Sequence, residues 1–174
     1  MHLNKETEIM KKILFLVCPF SQSEALIKKT FTGSHLYMTG MGGYLNFQDE
    51  KFADALTRII IKEKIEAIHL VQNTDCRFIH EVLSENKNLE YPVQNTLKKL
   101  LSENEPQIKS MDSKHQMTIH LASLMIKEVS ANIHKSDLLK ETIENKKIEI
   151  NGTLIQPKAN KLSSFNLNQP SILA

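Results

Sequence analysis

Tryptophan is absent from the chain, and aromatic residues make up only 6% of it. Single-stranded nucleic acid is held on stacked aromatic rings, so this shortage argues against that partner. A dominant charge is missing too. Lysine and arginine number 22, aspartate and glutamate 20, and the net charge is +2. Such a small imbalance supports neither a nucleic-acid footprint nor attraction to an anionic membrane. No apolar run approaches the roughly 20 residues of a membrane span. The opening stretch, MHLNKETEIMKK, has charge but no apolar core. No secretory leader is expected from it. Only two cysteines occur, Cys18 and Cys76. Two thiols make no disulfide framework, and a reducing cytoplasm is the expected location. There is no internal repeat and no low-complexity tract.

What is present fits one globular domain. The chain has 174 residues, 41% hydrophobic and 24% charged, enough for a real core. Residues 1–12 read as an N-terminal tail, 13–157 as a single domain and 158–174 as an irregular C-terminal tail. Ile13–Val17 is apolar throughout, as in a strand covered on both faces. Ser23–Lys29 reads as a short helix and Leu36–Met38 as a second strand. Lys51–Lys64 places Phe52, Ala55, Leu56, Ile59 and Ile60 on one helical stripe. Ala67–Val71 is a buried strand, and a helix follows from Cys76 to Ser84. Lys87–Gln94 reads as a loop holding Pro92, Gln94–Leu101 as a helix, and Ser102–Ser113 as a polar connection. A long helix spans Lys114–His134, with Ile119, Ala122, Ile126, Val129 and Ile133 on one side. Ser136 and Asp137 are placed to cap a helix over Leu138–Asn145. Lys147–Ile155 reads as a late strand at an edge of the sheet. Strands alternating with helices predict an α/β fold with a mostly parallel central sheet flanked by helices.

The two cysteines occupy equivalent places. Each follows an apolar strand, Cys18 directly and Cys76 after the turn Gln72–Asp75. Ligands of open α/β sheets bind beyond the carboxyl ends of the strands, so the two thiols are expected to face one crevice. Three of the five glycines, Gly40, Gly42 and Gly43, cluster between them in TGMGGY. Such a cluster marks either backbone that needs positive φ or close approach, or simply a tight loop.

The order strand, Cys, glycine loop, amphipathic helix, strand, x-x-x-Cys over Ile13–Cys76 resembles the β-class carbonic anhydrases. The far end, with its helix pair and Gly152 inside the last strand, is similar to that family as well. The family's first motif is Cys-x-Asp-x-Arg, and here the residues are Cys18-Pro19-Phe20-Ser21-Gln22. Its second is His-x-x-Cys, and here they are Asn73-Thr74-Asp75-Cys76. The resemblance implies zinc, held in the family by two cysteines and one histidine. It also implies a homodimer or higher assembly and the hydration of carbon dioxide. By position, Cys18 and Cys76 match the two thiolates, Asn73 falls on the histidine, and Phe20 and Gln22 fall on the Asp/Arg dyad. Thr39–Gly43 stands where the family has Arg-Asn-Ala-Gly-Asn.

These departures put the metal in question. An asparagine carbonyl is a poor zinc donor, and catalytic zinc takes about three protein ligands. His69 lies four residues before Asn73 on the same strand face, about 13 Å away at a rise of about 3.3 Å per residue. It reads as a hydrogen-bonded core residue. Asp75, beside Cys76, is a possible carboxylate ligand or a turn residue bonding its own backbone. His80, one helical turn beyond Cys76, is a second possible substitute or a surface residue. His35 has no assigned role. The cysteines themselves pack as small hydrophobes in many proteins.

Three readings follow. The first is a β-carbonic anhydrase-like protein with a degenerate zinc site, weak or absent hydration, and a binding or regulatory role for a small molecule or anion in the crevice. In this reading Phe20 fills the crevice with an apolar ring. The second is an active zinc enzyme with an unforeseen third ligand. The third is a thiol or redox protein using Cys18 and Cys76. A homodimer is expected from the resemblance, with Asn151-Gly152 in Lys147–Ile155 as an edge open to pairing.

Overall fold

The computed structural model describes residues 11–84 and 91–168. The expected N-terminal tail lies almost wholly outside the described residues. Five strands form one sheet: β1 (Lys12–Val17), β2 (Ser34–Thr39), β3 (Ala67–Asn73), β4 (Glu149–Gln156) and β5 (Lys161–Asn166). Their order is β2-β1-β3-β4-β5. The first three pairings are parallel and only β4 with β5 is antiparallel. Among the described residues seven helices accompany them: α1 (Glu24–Thr30), α2 (Glu50–Glu63), α3 (Arg77–Leu83), α4 (Pro92–Glu103), α5 (Glu105–Lys109), α6 (Lys114–His134) and α7 (Asp137–Lys146).

Strand alternation divides the core in two. Leu14 and Leu16 of β1, with Cys18 just beyond its end, share a face with Ile68 and Leu70 of β3 and with Ile150 and Leu154 of β4. α6 packs on β3 and β4 from this side. Ile13, Phe15 and Val17 face the other way with Ala67 and Val71, and there Ile27 of α1 covers them. β3 is buried along its whole length. An apolar run without alternation is the signature of a strand covered on both faces, and that is its position here.

Local chemistry sets the helix ends. Asp49 accepts a bond from the Phe52 amide at 3.1 Å and starts α2, which stops at Lys64 in the left-handed region, φ 54°. Ser113 caps α6 by accepting from the Gln116 amide at 3.2 Å. Such caps satisfy amides that have no partner within the helix. Ser136 stands at the N-cap of α7, yet its hydroxyl makes no capping bond there.

The structure corrects the sequence reading at five places. β4 is an interior strand, because β5 pairs with it, so the edge is β5 and not Lys147–Ile155. Residues 161–166, expected to be irregular, are that edge strand. Pro92 opens α4 instead of lying in a loop, since proline's fixed φ and missing N–H suit the first helical position. The connection 102–113 contains α5, again with a proline in its first turn. In α2 the buried stripe is Ala53, Leu56, Thr57 and Ile60, so Ala55 and Ile59 face solvent.

Candidate functional site

The site lies at the carboxyl edge of the parallel strands. β1 ends at Val17, and the chain turns at once. The Cys18 carbonyl accepts from the Ser21 amide at 3.0 Å and from the Ser21 hydroxyl at 2.7 Å. Gln22 takes φ +48°, a left-handed conformation that costs a residue with a Cβ. β3 ends at Asn73, and its turn closes by the Cys76 amide donating to the Asn73 carbonyl at 3.0 Å. Cys76 is the N-cap of α3. Both cysteines are buried and unbridged, and the Cys18 sulfur accepts from the glycine turn that follows β2.

The glycine cluster has its explanation in this contact. Residues 41–43 form a single 3-10 turn in which Gly42 and Gly43 have φ +62° and +69°. The Gly42 amide donates to Cys18 Sγ at 3.3 Å. A Cβ on Gly42 would lie 2.6 Å from Val93 Cγ2, and one on Gly43 would lie 2.9 Å from Gln72 Nε2. The turn is pinned from below by Gln72, whose Nε2 donates to the Gly42 carbonyl at 2.7 Å. The glycines thus let a backbone amide approach the sulfur, which a side chain at either position would obstruct.

This arrangement separates the two thiols electrostatically. The bond from Cys76, together with the Phe20, Gly42 and Gly43 amides, lowers Cys18 to about 6 against the opposing effect of burial. Cys76 is pushed up, first because it is the donor to Cys18 and then by burial.

Asn73 is buried and fully engaged. Its Nδ2 donates to the Ser21 carbonyl at 3.0 Å, and its Oδ1 accepts from the Asp75 amide at 2.7 Å. One side chain therefore clasps the loop after β1 to the turn after β3. His80 donates through Nε2 to the Thr74 carbonyl at 2.8 Å. Asp75 is exposed at the surface, with Lys158 Nζ 3.9 Å from its carboxylate. His69 is a buried core residue. Its Nδ1 donates to Thr153 Oγ1 at 2.8 Å, and its Nε2 accepts from Asn151 Nδ2 at 3.4 Å. Burial, with Lys11 adding to it, lowers His69 to about 4.

Phe20 does not fill the crevice. Its ring is 55% exposed, lies 4.9 Å from the Arg77 guanidinium and is tilted against Phe78 at 6.4 Å. The cation over the ring face holds it at the surface. Beside the clasp opens a groove of about 480 Å³, lined by Phe20, Gln22, Lys29, Asn73, Asp75 and Asn160 among others.

The donor set does not fit a catalytic zinc. The chain has only two thiols, and among the described residues no three His, Cys, Asp or Glu side chains converge. Gln72, Asn73's double bond and Arg77 escaped the sequence reading. A buried amide inside an apolar strand was the available signal for Gln72, but its partner Gly42 is 30 residues away.

The sequence matches no protein-family model, and no curated protein matches it. Solved structures do match. One of two tetrameric β-carbonic anhydrases from the ascomycete Sordaria macrospora superposes with a TM-score of 0.77 at 15% identity, covering 92% of this chain and 82% of that one. The β-carbonic anhydrase CafD of Aspergillus fumigatus gives 0.74 at 17% identity, covering 95% and 94%. CafA of the same fungus gives 0.76 at 17%, covering 92% and 78%. At these identities the likeness is one of fold, and the chain has the fold of the β-carbonic anhydrases.

Proposed function

We propose that this chain is a carbonic anhydrase-like protein that does not hydrate carbon dioxide at an appreciable rate and acts by binding, as a regulatory or carrier protein. One observation carries the reading. Asn73 stands where the resemblance puts a metal-binding imidazole, and both ends of its amide are spent on the Ser21 carbonyl and the Asp75 amide. Cys18 and Cys76 are then the only thiolate donors in the chain, two where a catalytic zinc takes about three protein ligands and an open position. The dyad positions support the same reading. Phe20 offers no carboxylate, and Gln22 lacks the charged fork with which an arginine holds one.

The groove beside the clasp is the binding site in this reading. Lys29 gives it a cation, Asp75 a carboxylate, and Gln22 and Asn160 neutral polar groups. A small anion or polar molecule suits that lining. The protein is a cytoplasmic homodimer in this proposal, the location following from its unbridged thiols.

The test is stopped-flow carbon dioxide hydration with zinc measured on the same sample. The expected result is little zinc and a rate near the uncatalysed one. Asn73→His is expected to raise zinc content without turnover. Phe20→Asp, Gln22→Arg and Asn73→His together are expected to raise both, because the roles are coupled. Fast turnover by the unmodified protein with nearly one zinc per chain would overturn the proposal. Asp75 and His80 would then be the substitute ligands to mutate first.

A further inference from the structure

A second cavity, of about 400 Å³, shares Asp75 with the groove but has otherwise different walls. Thr74 and Asp75 come from the turn after β3, Lys114 and His115 from the first turn of α6, and Lys158 from the turn after β4. β3 and β4 are parallel, so both end at this edge. The Thr74 amide donates to the Ile155 carbonyl at 2.9 Å and ties the two ends together. Such a carboxyl edge is where open α/β sheets take their ligands.

The walls are basic in a chain that is not. Over the whole sequence 22 cationic residues face 20 acidic ones. Here Lys114, Lys158, His80 and His115 surround a single carboxylate, that of Asp75. Lys114 Nζ donates to Ser84 Oγ at 2.8 Å, a neutral partner that leaves its charge uncancelled. Lys158 Nζ lies 3.9 Å from the Asp75 carboxylate, and its side chain is 88% exposed. An ion pair so long and so wet is worth little, and it yields to a better anion. His80 is held at the wall by its bond to the Thr74 carbonyl. α6, 21 residues long, begins at the cavity, and the positive end of its dipole adds to the same field.

We propose that this cavity binds a phosphate group, free or at the end of a small ester, between Lys114 and Lys158. An ammonium is a compact charge whose three N–H donors suit a phosphate oxygen approaching from any side. The volume lies in the range of small-molecule sites and leaves room for an organic body beside the phosphate. Asp75 holds Lys158 in the empty cavity and gives it up to the anion. The site is separate from the groove and depends on neither zinc nor turnover.

The experiment is calorimetric titration of the full chain with inorganic phosphate and, in parallel, with glycerol phosphate, ionic strength being fixed with chloride. Saturable binding is expected, and whichever of the two binds more tightly names the source of the phosphate. Lys114→Ala and Lys158→Ala are each expected to weaken it about tenfold, the worth of one charge-assisted hydrogen bond. Their double variant is expected to lose it. Asp75→Asn is expected to tighten it about threefold, by freeing Lys158 from an exposed pair. Both lysines are exposed, and unchanged urea midpoints without phosphate would show that the variants keep the fold. Lys29→Ala, in the groove, is expected to leave this binding as it is. Absence of saturation, or full binding by the double lysine variant, would overturn the site. Binding that survives in that variant and disappears in Lys29→Ala would place the anion in the groove, overturning this inference while supporting the binding proposal.

Discussion

Asn73 is the residue on which the site turns. Its two bonds span from residue 21 to residue 75, so it performs with an amide the cross-linking that a ligand set performs with an ion. Removing it breaks two hydrogen bonds to partly buried backbone groups, and each such bond is worth about 0.5–1.5 kcal/mol. Asn73→Ala is expected to lower stability by about 1–3 kcal/mol in urea unfolding. His69 makes a second prediction at this scale. It lies between Asn151 and Thr153, and Thr153 passes the chain on to Ser164 at 3.2 Å. Its folded pKa is about 4 against an ordinary 6.5. Between those values the unfolded chain binds a proton that the folded chain refuses, so stability rises with pH across that window. It is complete above 6.5 and is lost as pH falls toward 4. At 1.36 kcal/mol per unit the effect is about 3 kcal/mol. Denaturant midpoints at several pH values should show this slope in the native chain and a shallower one in His69→Gln.

Between elements, the tightest joint is at β4. Gly152 faces Phe165 of β5 in the antiparallel register. A Cβ there would lie 2.5 Å from the Phe165 ring and 2.8 Å from Ile126 Cγ2 of α6. The strand is therefore clamped between the ring of its neighbour and the long helix. Overpacking of this kind costs about 1–3 kcal/mol. Gly152→Ala is expected to destabilise by that order, and Phe165→Leu in the same chain is expected to recover part of the loss. An equal loss in single and double variants by chemical unfolding would show that Ile126, not Phe165, sets the limit. β5 carries the sequence KLSSFN and is mostly exposed. This polar edge is the device that ends the sheet.

For the whole molecule, the fold distributes cover unevenly. α6 packs on the sheet from one side, while among the described residues α1, with Phe31 beside it, lies over the core of the other. No described helix is long and apolar enough to cross a membrane. The Sordaria relatives of this fold are tetrameric. For this chain the proposed assembly is a homodimer. Light scattering at micromolar concentration is expected to give twice the chain mass, and a monomer there would refute it. The edge that the sequence offered for pairing, Asn151-Gly152, is excluded, because β5 already occupies it.

Local pattern alone determined the alternation of strands and helices, the parallel sheet and the position of both cysteines at strand ends. These are readable because apolar runs and helical stripes repeat over two to four residues, within the reach of one element. The placement of Cys18 and Cys76 beyond the ends of two neighbouring parallel strands follows from strand order. What the pattern could not contain is what each polar side chain would bond. Asn73 finds the Ser21 carbonyl 52 residues away, and Gln72 finds Gly42 at 30. Neither partner has a sequence mark, because every residue carries a backbone carbonyl. β5 was hidden for a related reason. KLSSFN has too few apolar residues to declare a strand, and it becomes one only because β4 presents it with an unpaired edge. The rotation of α2 that buries Ala53 and Thr57 instead of Ala55 and Ile59 belongs here too. A stripe of isoleucines allows two faces, and the tertiary structure chose the one that meets the sheet, since burial depends on which neighbours close over a helix.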